Sequence, residues 1–505
     1  MATYESERPD RQPRRRRRSA YGRRPRWLYA RRIVASIGVL AVVLVGAYGV
    51  RLVLSVANLF HTDPITAVRA IVGGHGDSSV AQAQRDLKRV TIALYGYGGV
   101  GHDGAYLSDS IMIVTIQPQA NGPARVAQIS IPRDWYVPID LGGGTSEMGR
   151  INEAYASGNP NGPFTSKVYT DQHAGGEIAN ATIERMLGIH IDYFIGIDFT
   201  AFKDAVDSVG GIDVTVQRTF TDHNYPRGEC PPDCAVTTIH FDAGRQHMDG
   251  ARALIFARSR ESSDPQEGSN FARNKRQQLV LAAVKQRVLS VGGLKNLPDL
   301  VNALGDHINF NIPIGDALSL YDVIKDVDTT TITHISIDST NLIYECDYPR
   351  SCNAALEFPY DRTFATAHHY IDSVFVPTDT LGEHAPVKIV DGSGRPVGAS
   401  MRWTSMLSQL GFAAADGGQA LHITPHTRVI DQSGGRDAKT AEWLARYYGV
   451  TVETGTATAI TGSQTSTSTS LFPPSPSAAG GDGVLVVIGT DTERSFSPQA
   501  AGLYR

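Results

Sequence analysis

SDSIMIVTIQPQANGPARVAQISIPRD, residues 108–134, decides how this chain folds. Ile111 to Ile116 and Val126 to Ile131 are apolar runs of strand length, rich in β-branched residues. Asn121-Gly122 between them is the dipeptide of a type I′ turn, so the two runs are expected to form an antiparallel hairpin ending at Pro132-Arg133-Asp134. Towards the N-terminus, Val90 to Tyr95 is another strand, followed by the glycine-rich Gly96-Tyr97-Gly98-Gly99-Val100-Gly101. Towards the C-terminus, helical spacing over Gly176 to Leu187 stops at Gly188, and Tyr193 to Ile197 is a strand. Phe199, Phe202, Val206 and Val209 mark a helix, Ile212 to Val216 a strand, and Phe271 to Leu289 a long amphipathic helix. Strands alternating with helices predict an α/β fold, a mixed central sheet flanked by helices, over residues 87–380.

A second, smaller α/β domain is expected over residues 386–492, with strands at Val387 to Val390, Thr427 to Ile430 and Val484 to Ile488. Helices are expected at Ser400 to Leu410 and Ala438 to Tyr448. The Ser-, Thr- and Pro-rich stretch 455–483 cannot form a core and reads as a flexible insert. Gly392-Ser393-Gly394 follows a strand but lacks the third glycine of a dinucleotide-binding fingerprint, because Gly398 falls one place late. It reads as a turn.

The net charge of −4 hides an asymmetry. Residues 1–32 carry twelve arginines against Glu5, Glu7 and Asp10, a charge of +9, which leaves −13 for the remainder. Eighteen uncharged residues, Ile33 to Val50, follow at once, and apolar character continues past Arg51. A helix needs roughly 20 apolar residues to cross a bilayer, so 33–55 reads as one transmembrane helix and 56–86 as a juxtamembrane segment. No clean small-residue cleavage site favours a signal peptide instead. Arginine is dense before the segment and sparse after it, which places the N-terminus in the cytoplasm and the long remainder outside. The basic tail then serves topology and contact with anionic lipid rather than nucleic acid, and it carries no helix-turn-helix pattern. Cys230, Cys234, Cys346 and Cys352 all lie on the oxidising side, where two local disulfide loops are expected. Neither pair has the spacing of a zinc knuckle.

Arginines recur in apolar surroundings within the first domain. They are Arg133 in SIPRD, Arg258 and Arg260 in ALIFARSR, and Arg273 and Arg276 in FARNKRQQ. Arg258 and Arg260 share a face if their segment is extended, and Arg273 and Arg276 if theirs is helical. The guanidinium fork matches phosphate oxygens bidentately, so several converging would form a pyrophosphate site. Asp109 nearby offers a carboxylate for Mg²⁺, which shares its ligands with phosphates. The ordinary alternative is a set of surface arginines paired with carboxylates. His102 and His223 read as exposed or capped rather than as ligands.

The ordered motifs SDSIMIVTIQP, SIPRDWYVPI, RINEAYASG, IDYFIGIDF with VGGIDV, HMDGARALIFARSR and FARNKRQQ closely resemble the LytR–CpsA–Psr family over residues 88–290. Residues 387–488 look like the LytR-type C-terminal domain that often follows it. The resemblance implies a membrane-anchored phosphotransferase that takes a glycopolymer from a polyprenyl-pyrophosphate carrier and joins it to peptidoglycan through a phosphodiester. It implies Mg²⁺ at Asp109, pyrophosphate binding by Arg133, Arg258, Arg260 and Arg273, and an apolar tunnel for the prenyl chain. Three positions depart from the pattern: Leu107 stands for an arginine, Gly96-Tyr97-Gly98 for a Gly-x-Asp signature, and Asn270 for a candidate catalytic aspartate. Asn270 cannot accept a proton at neutral pH, so activity is expected to be reduced, with Asp264 or Glu267 as substitutes. The rival reading is a scaffold that binds prenyl lipid or wall polymer without turnover.

Overall fold

The computed structural model describes residues 47–72, 74, 76–102, 104–159, 162–227, 235–290, 297–346, 356–361, 363–394, 398–455 and 483–493. The expected membrane helix at 33–55 falls mostly outside them; residues 47–59 are helical. Among the described residues no helix is long and apolar enough to cross a membrane. The Ser/Thr/Pro-rich insert and three of the four cysteines also lie outside the described residues, Cys346 being the exception.

The core of residues 54–505 is a mixed six-stranded sheet. Its order is Ile308–Phe310, Tyr193–Asp198, Val90–Tyr97, Ser108–Gln117, Arg125–Ile131, Thr333–Ser336. Val90–Tyr97 runs antiparallel to Ser108–Gln117 and parallel to Tyr193–Asp198. Alternation assigns the two faces. Ala93, Tyr95, Ile111, Ile113 and Ile129 pack with Ile178, Ile183 and Leu187 of the helix Ala174–Leu187. Gly176 lets that helix approach closely, since a Cβ there would lie 2.4 Å from the Phe194 ring. Val90, Ile92, Ile116 and Tyr193 face the other way, against Leu320 and Val323 of the helix Ile314–Ile324.

Ser108–Gln117 and Arg125–Ile131 pair as expected, with Gln117 opposite Arg125, so seven residues, not a two-residue turn, join them. Pro118 and Pro123 lack the N–H groups a longer ladder would need. A second correction concerns Arg258 and Arg260. Arg258 is the last residue of a helix, Gly250–Arg258, whose N-cap Asp249 accepts from Arg252 N at 2.8 Å, and Arg260 lies two residues past its end, so the two do not share one extended segment.

The C-terminal region forms its own five-stranded sheet with helices Ala399–Gln409 and Ala438–Tyr448. Its strand Ala413–Gln419 was not expected, being short of β-branched residues and largely exposed at the sheet edge. Trp403, Met406 and Val486 belong to the same hydrophobic cluster as Trp135 and Ile129, so the two sheets share one core. Gly392-Ser393-Gly394 is a turn: Asp391 Oδ1 accepts from Ser393 N at 2.9 Å and from Ser393 Oγ at 2.6 Å. Asp431 repeats the arrangement with Ser433.

Candidate functional site

Past the reach of the helix Ile314–Ile324, the sheet face bearing Leu94, Met112, Ile195 and Ile197 meets other helices. Phe199–Ser208, Gly250–Arg258 and Asn270–Val288 contribute Phe199, Phe202, Leu254, Val280 and Leu281. Sheet and helices enclose an apolar pocket of about 480 Å³. Its polar residues include Asp109, Arg133, Arg258, Arg260 and Arg273. Each comes from the end of an element or, for Arg260, from the loop that follows one. Asp109 opens the strand Ser108–Gln117, Arg133 follows Arg125–Ile131, Arg258 ends its helix, and Arg273 lies in the first turn of Asn270–Val288.

Arg133 Nη1 donates to Asp109 Oδ1 at 2.7 Å and Arg133 Nε to Asp134 Oδ2 at 3.1 Å. Burial pulls its pKa down, but the two carboxylates outweigh that and hold it above the ordinary value. Arg258 lies over the Phe199 ring, 4.3 Å from its centroid. Burial, and then the charge of Arg133, lowers the pKa of Arg260. Arg273 is the extreme case. It is 6% exposed, its buried Nε has no hydrogen-bond partner among the described residues, and burial followed by Arg133 and Arg260 lowers its pKa to about 10. It keeps its charge at neutral pH, beside two like charges, with no carboxylate in ion-pair contact among the described residues. Such a group is stabilised by an arriving anion.

Arg276 differs. Its Nη1 donates to Glu267 Oε2 at 2.6 Å, its Nε to the Phe256 carbonyl at 3.1 Å, and its Nη2 to the Ser259 carbonyl. Its fork is filled by protein groups, so Arg276 braces the loop between two helices. The same bond ties the Glu267 carboxylate to Arg276. Asp264 accepts the backbone N–H of Glu267 and Gly268 only through its carbonyl, while its side chain caps Gln266 N and lies 3.5 Å from Arg218. The side chain of Asn270 lies outside the described residues. His223 Nδ1 lies 3.3 Å from Thr238 Oγ1, and His102 packs edge-on against Phe199.

Two positioning residues carried no signal in the sequence. Buried Asp222 accepts from Ser259 Oγ at 2.7 Å, Arg260 N at 3.3 Å and Glu261 N at 3.2 Å, fixing the loop that carries Arg260. Gln277 accepts from Ser110 Oγ at 2.9 Å and donates to the Ala257 carbonyl at 3.4 Å. It thereby ties together the elements that bear Asp109, Arg258 and Arg273.

For Mg²⁺, Asp109 presents a carboxylate whose side chain is 42% exposed. Among the described residues no group of three or more His, Cys, Asp or Glu side chains forms a metal cage. That donor set fits an ion shared between one carboxylate and phosphate oxygens, and does not fit a closed protein site.

Residues 69–354, more than half of the chain, match the LytR_cpsA_psr family. A polyisoprenyl-teichoic acid–peptidoglycan teichoic acid transferase, TagU of Bacillus cereus (strain AH820), is 30% identical over 278 residues, covering 55% of this chain and 77% of that protein. The corresponding transferase TagV of Bacillus subtilis (strain 168) is 29% identical over 236 residues, 46% of this chain and 52% of that protein. Among solved structures, that of B. subtilis TagV aligns at 25% identity over 57% of this chain and 96% of that chain, with a TM-score of 0.42. TagT bound to LIIa-WTA aligns at 22% identity over 56% and 89%, with a TM-score of 0.38. The motif resemblance, the extent of the match and the relatives agree: this chain belongs to the LytR_cpsA_psr family.

Proposed function

We propose that the protein is a cell-envelope phosphotransferase that moves a glycopolymer from a polyprenyl-pyrophosphate carrier onto peptidoglycan through a phosphodiester. The observation that carries this reading is Arg273, a buried cation with no ion-pair partner among the described residues, beside Arg133 and Arg260 at an apolar pocket. An occupant that satisfies both parts has a hydrocarbon chain and a multiply charged phosphate head. Each buried CH₂ contributes about 0.8 kcal/mol, so the chain supplies affinity while the arginines set the position of the head.

Arg133, Arg258, Arg260 and Arg273 would grip the pyrophosphate and stabilise charge building on the leaving phosphate. Arg276 is not part of that grip. Asp109, held by Arg133, would be the protein ligand of Mg²⁺, which when bound neutralises charge on the phosphoryl oxygens. The N-terminal segment would anchor the chain in the cell membrane with the folded region outside, where prenyl-linked precursors are met.

The test is to supply the full-length protein with a polyprenyl-pyrophosphate-linked glycopolymer, Mg²⁺ and peptidoglycan, and to follow release of polyprenyl phosphate. Transfer is expected, and Mg²⁺ chelation is expected to suppress it. Lipid binding without any turnover would favour a non-catalytic scaffold, the reading that the asparagine at position 270 supports.

A further inference from the structure

Arg133, Arg260 and Glu261 line two spaces at once. One is the apolar pocket. The other is a larger cleft of about 1110 Å³, whose walls also include Asp134, Arg150, Asn152, Asp338 and Glu357. Its polar lining suits a hydroxyl-rich ligand, not a prenyl chain.

Carboxylates in and around this arginine row differ in how they are held. Asp109 and Asp134 each hold Arg133, and Glu267 holds Arg276. Glu357 holds no cation among the described residues. It is 8% exposed, and its buried Oε2 has no hydrogen-bond partner among the described residues. Nor is it there by looseness of the chain. Glu357 N donates to the Asp134 carbonyl at 3.0 Å, and its strand, Glu357–Pro359, pairs with Ile343–Glu345. The backbone thus clamps this carboxyl next to the turn that presents Arg133. Burying an unpartnered carboxyl costs stability, and such groups cluster where a proton must be handled.

We propose that the polar cleft admits the acceptor, a hydroxyl-bearing glycan, and that Glu357 takes the proton from its attacking hydroxyl. This rests on the phosphotransfer reading and adds a residue to it. The acceptor oxygen bonds to the phosphorus that bears the glycopolymer. The bond from that phosphorus to the bridging oxygen breaks, and its electron pair leaves with polyprenyl phosphate. The hydroxyl proton passes to the Glu357 carboxylate. Donor and acceptor meet at Arg133 and Arg260, the residues common to both spaces.

The surroundings tune the carboxyl for that task. Burial raises its pKa first, and the charges of Asp134, Glu345 and Asp338 add to it, against Arg273, giving about 8. The cations lining the cleft itself are Arg133, Arg150, Arg218, Arg260, Lys275 and Arg276. A base with a pKa near the working pH transfers protons most effectively.

The full-length chain in detergent, given a polyprenyl-pyrophosphate-linked disaccharide and a peptidoglycan fragment, tests this between about pH 6 and about pH 9. Wild-type transfer is expected to rise with pH through a midpoint near 8. Glu357→Gln is expected to lower the rate about 100-fold or more and to flatten the profile, with prenyl-pyrophosphate binding unchanged, and Glu357→Asp to recover part of the rate. A Glu357→Gln rate within about threefold of wild type, or a wild-type profile with no rising limb near pH 8, overturns the role of Glu357 alone. Absence of any wild-type transfer overturns the phosphotransfer reading and this one with it.

Discussion

Arg273 and Arg276 stand three residues apart on one helix, and both are buried. Arg276 has a carboxylate and three carbonyls around its guanidinium, whereas Arg273, near Arg133 and Arg260 as well as Asp109 and Asp134, makes no ion pair among the described residues and its Nε has no hydrogen-bond partner among them. The first arrangement is complete within the protein, and the second is complete only when an anion arrives. Burial and residue type are the same in both. The partners separate a structural arginine from a binding one.

The largest effect is expected from breaking the complete arrangement. Arg276→Ala leaves the partly buried Glu267 without its cation and is expected to cost about 3–5 kcal/mol of stability, read as a lower denaturation midpoint. Adding Glu267→Gln should restore part of that loss. Glu357 is the acidic counterpart of Arg273, and its effect appears in pH dependence. Its folded pKa of about 8 stands above the ordinary value of 4.5, so the native state binds the extra proton between those values. Stability is therefore expected to fall as pH rises from 4.5 through about 8, by on the order of 2–4 kcal/mol, and Glu357→Gln should flatten that slope in denaturation curves. Next comes Arg273→Met. Removing a buried charge that makes no ion pair among the described residues is expected to leave stability unchanged or slightly higher, while affinity for a prenyl pyrophosphate falls by about 1.5–3 kcal/mol, roughly 10- to 100-fold. An equal loss of stability in the Arg273 and Arg276 variants would dissolve the comparison. The smallest effect is expected at Asn270, the first residue of the same helix. Asn270→Asp should raise the transfer rate by about tenfold, the effect of a base with about 1.4 kcal/mol of transition-state benefit.

Much of this molecule was legible in the sequence because its central strands are apolar on both faces and its helices are periodic. Val484–Ile488 and Ala438–Tyr448 have the expected boundaries. Legibility fails where tertiary contacts decide. The loop between Gln117 and Arg125 is longer than Asn121-Gly122 implies. Arg258 ends a helix that Asp249 caps at its start. At the candidate site, periodicity places Arg273 and Arg276 together but says nothing of Glu267, whose contact with Arg276 crosses a loop. Asp222, Gln277 and Glu357 matter through neighbours distant in the chain. Glu357 in particular sits on a three-residue strand whose placement depends on Asp134. Motif resemblance brought Asp109 and the arginines forward as a set. Which of them lack partners is a property of the packed structure alone.

The central claim is that a prenyl pyrophosphate enters the apolar pocket with its head on Arg273. A structure of the protein crystallised with a prenyl pyrophosphate tests it most directly. The expected result is phosphate oxygens about 3 Å from the Arg273 guanidinium, with the chain running between Leu94, Met112 and Ile195 of the sheet and Leu281 of the helix. A chain bound elsewhere, or a head group held by Arg276 with Arg273 still unpartnered, would contradict the account.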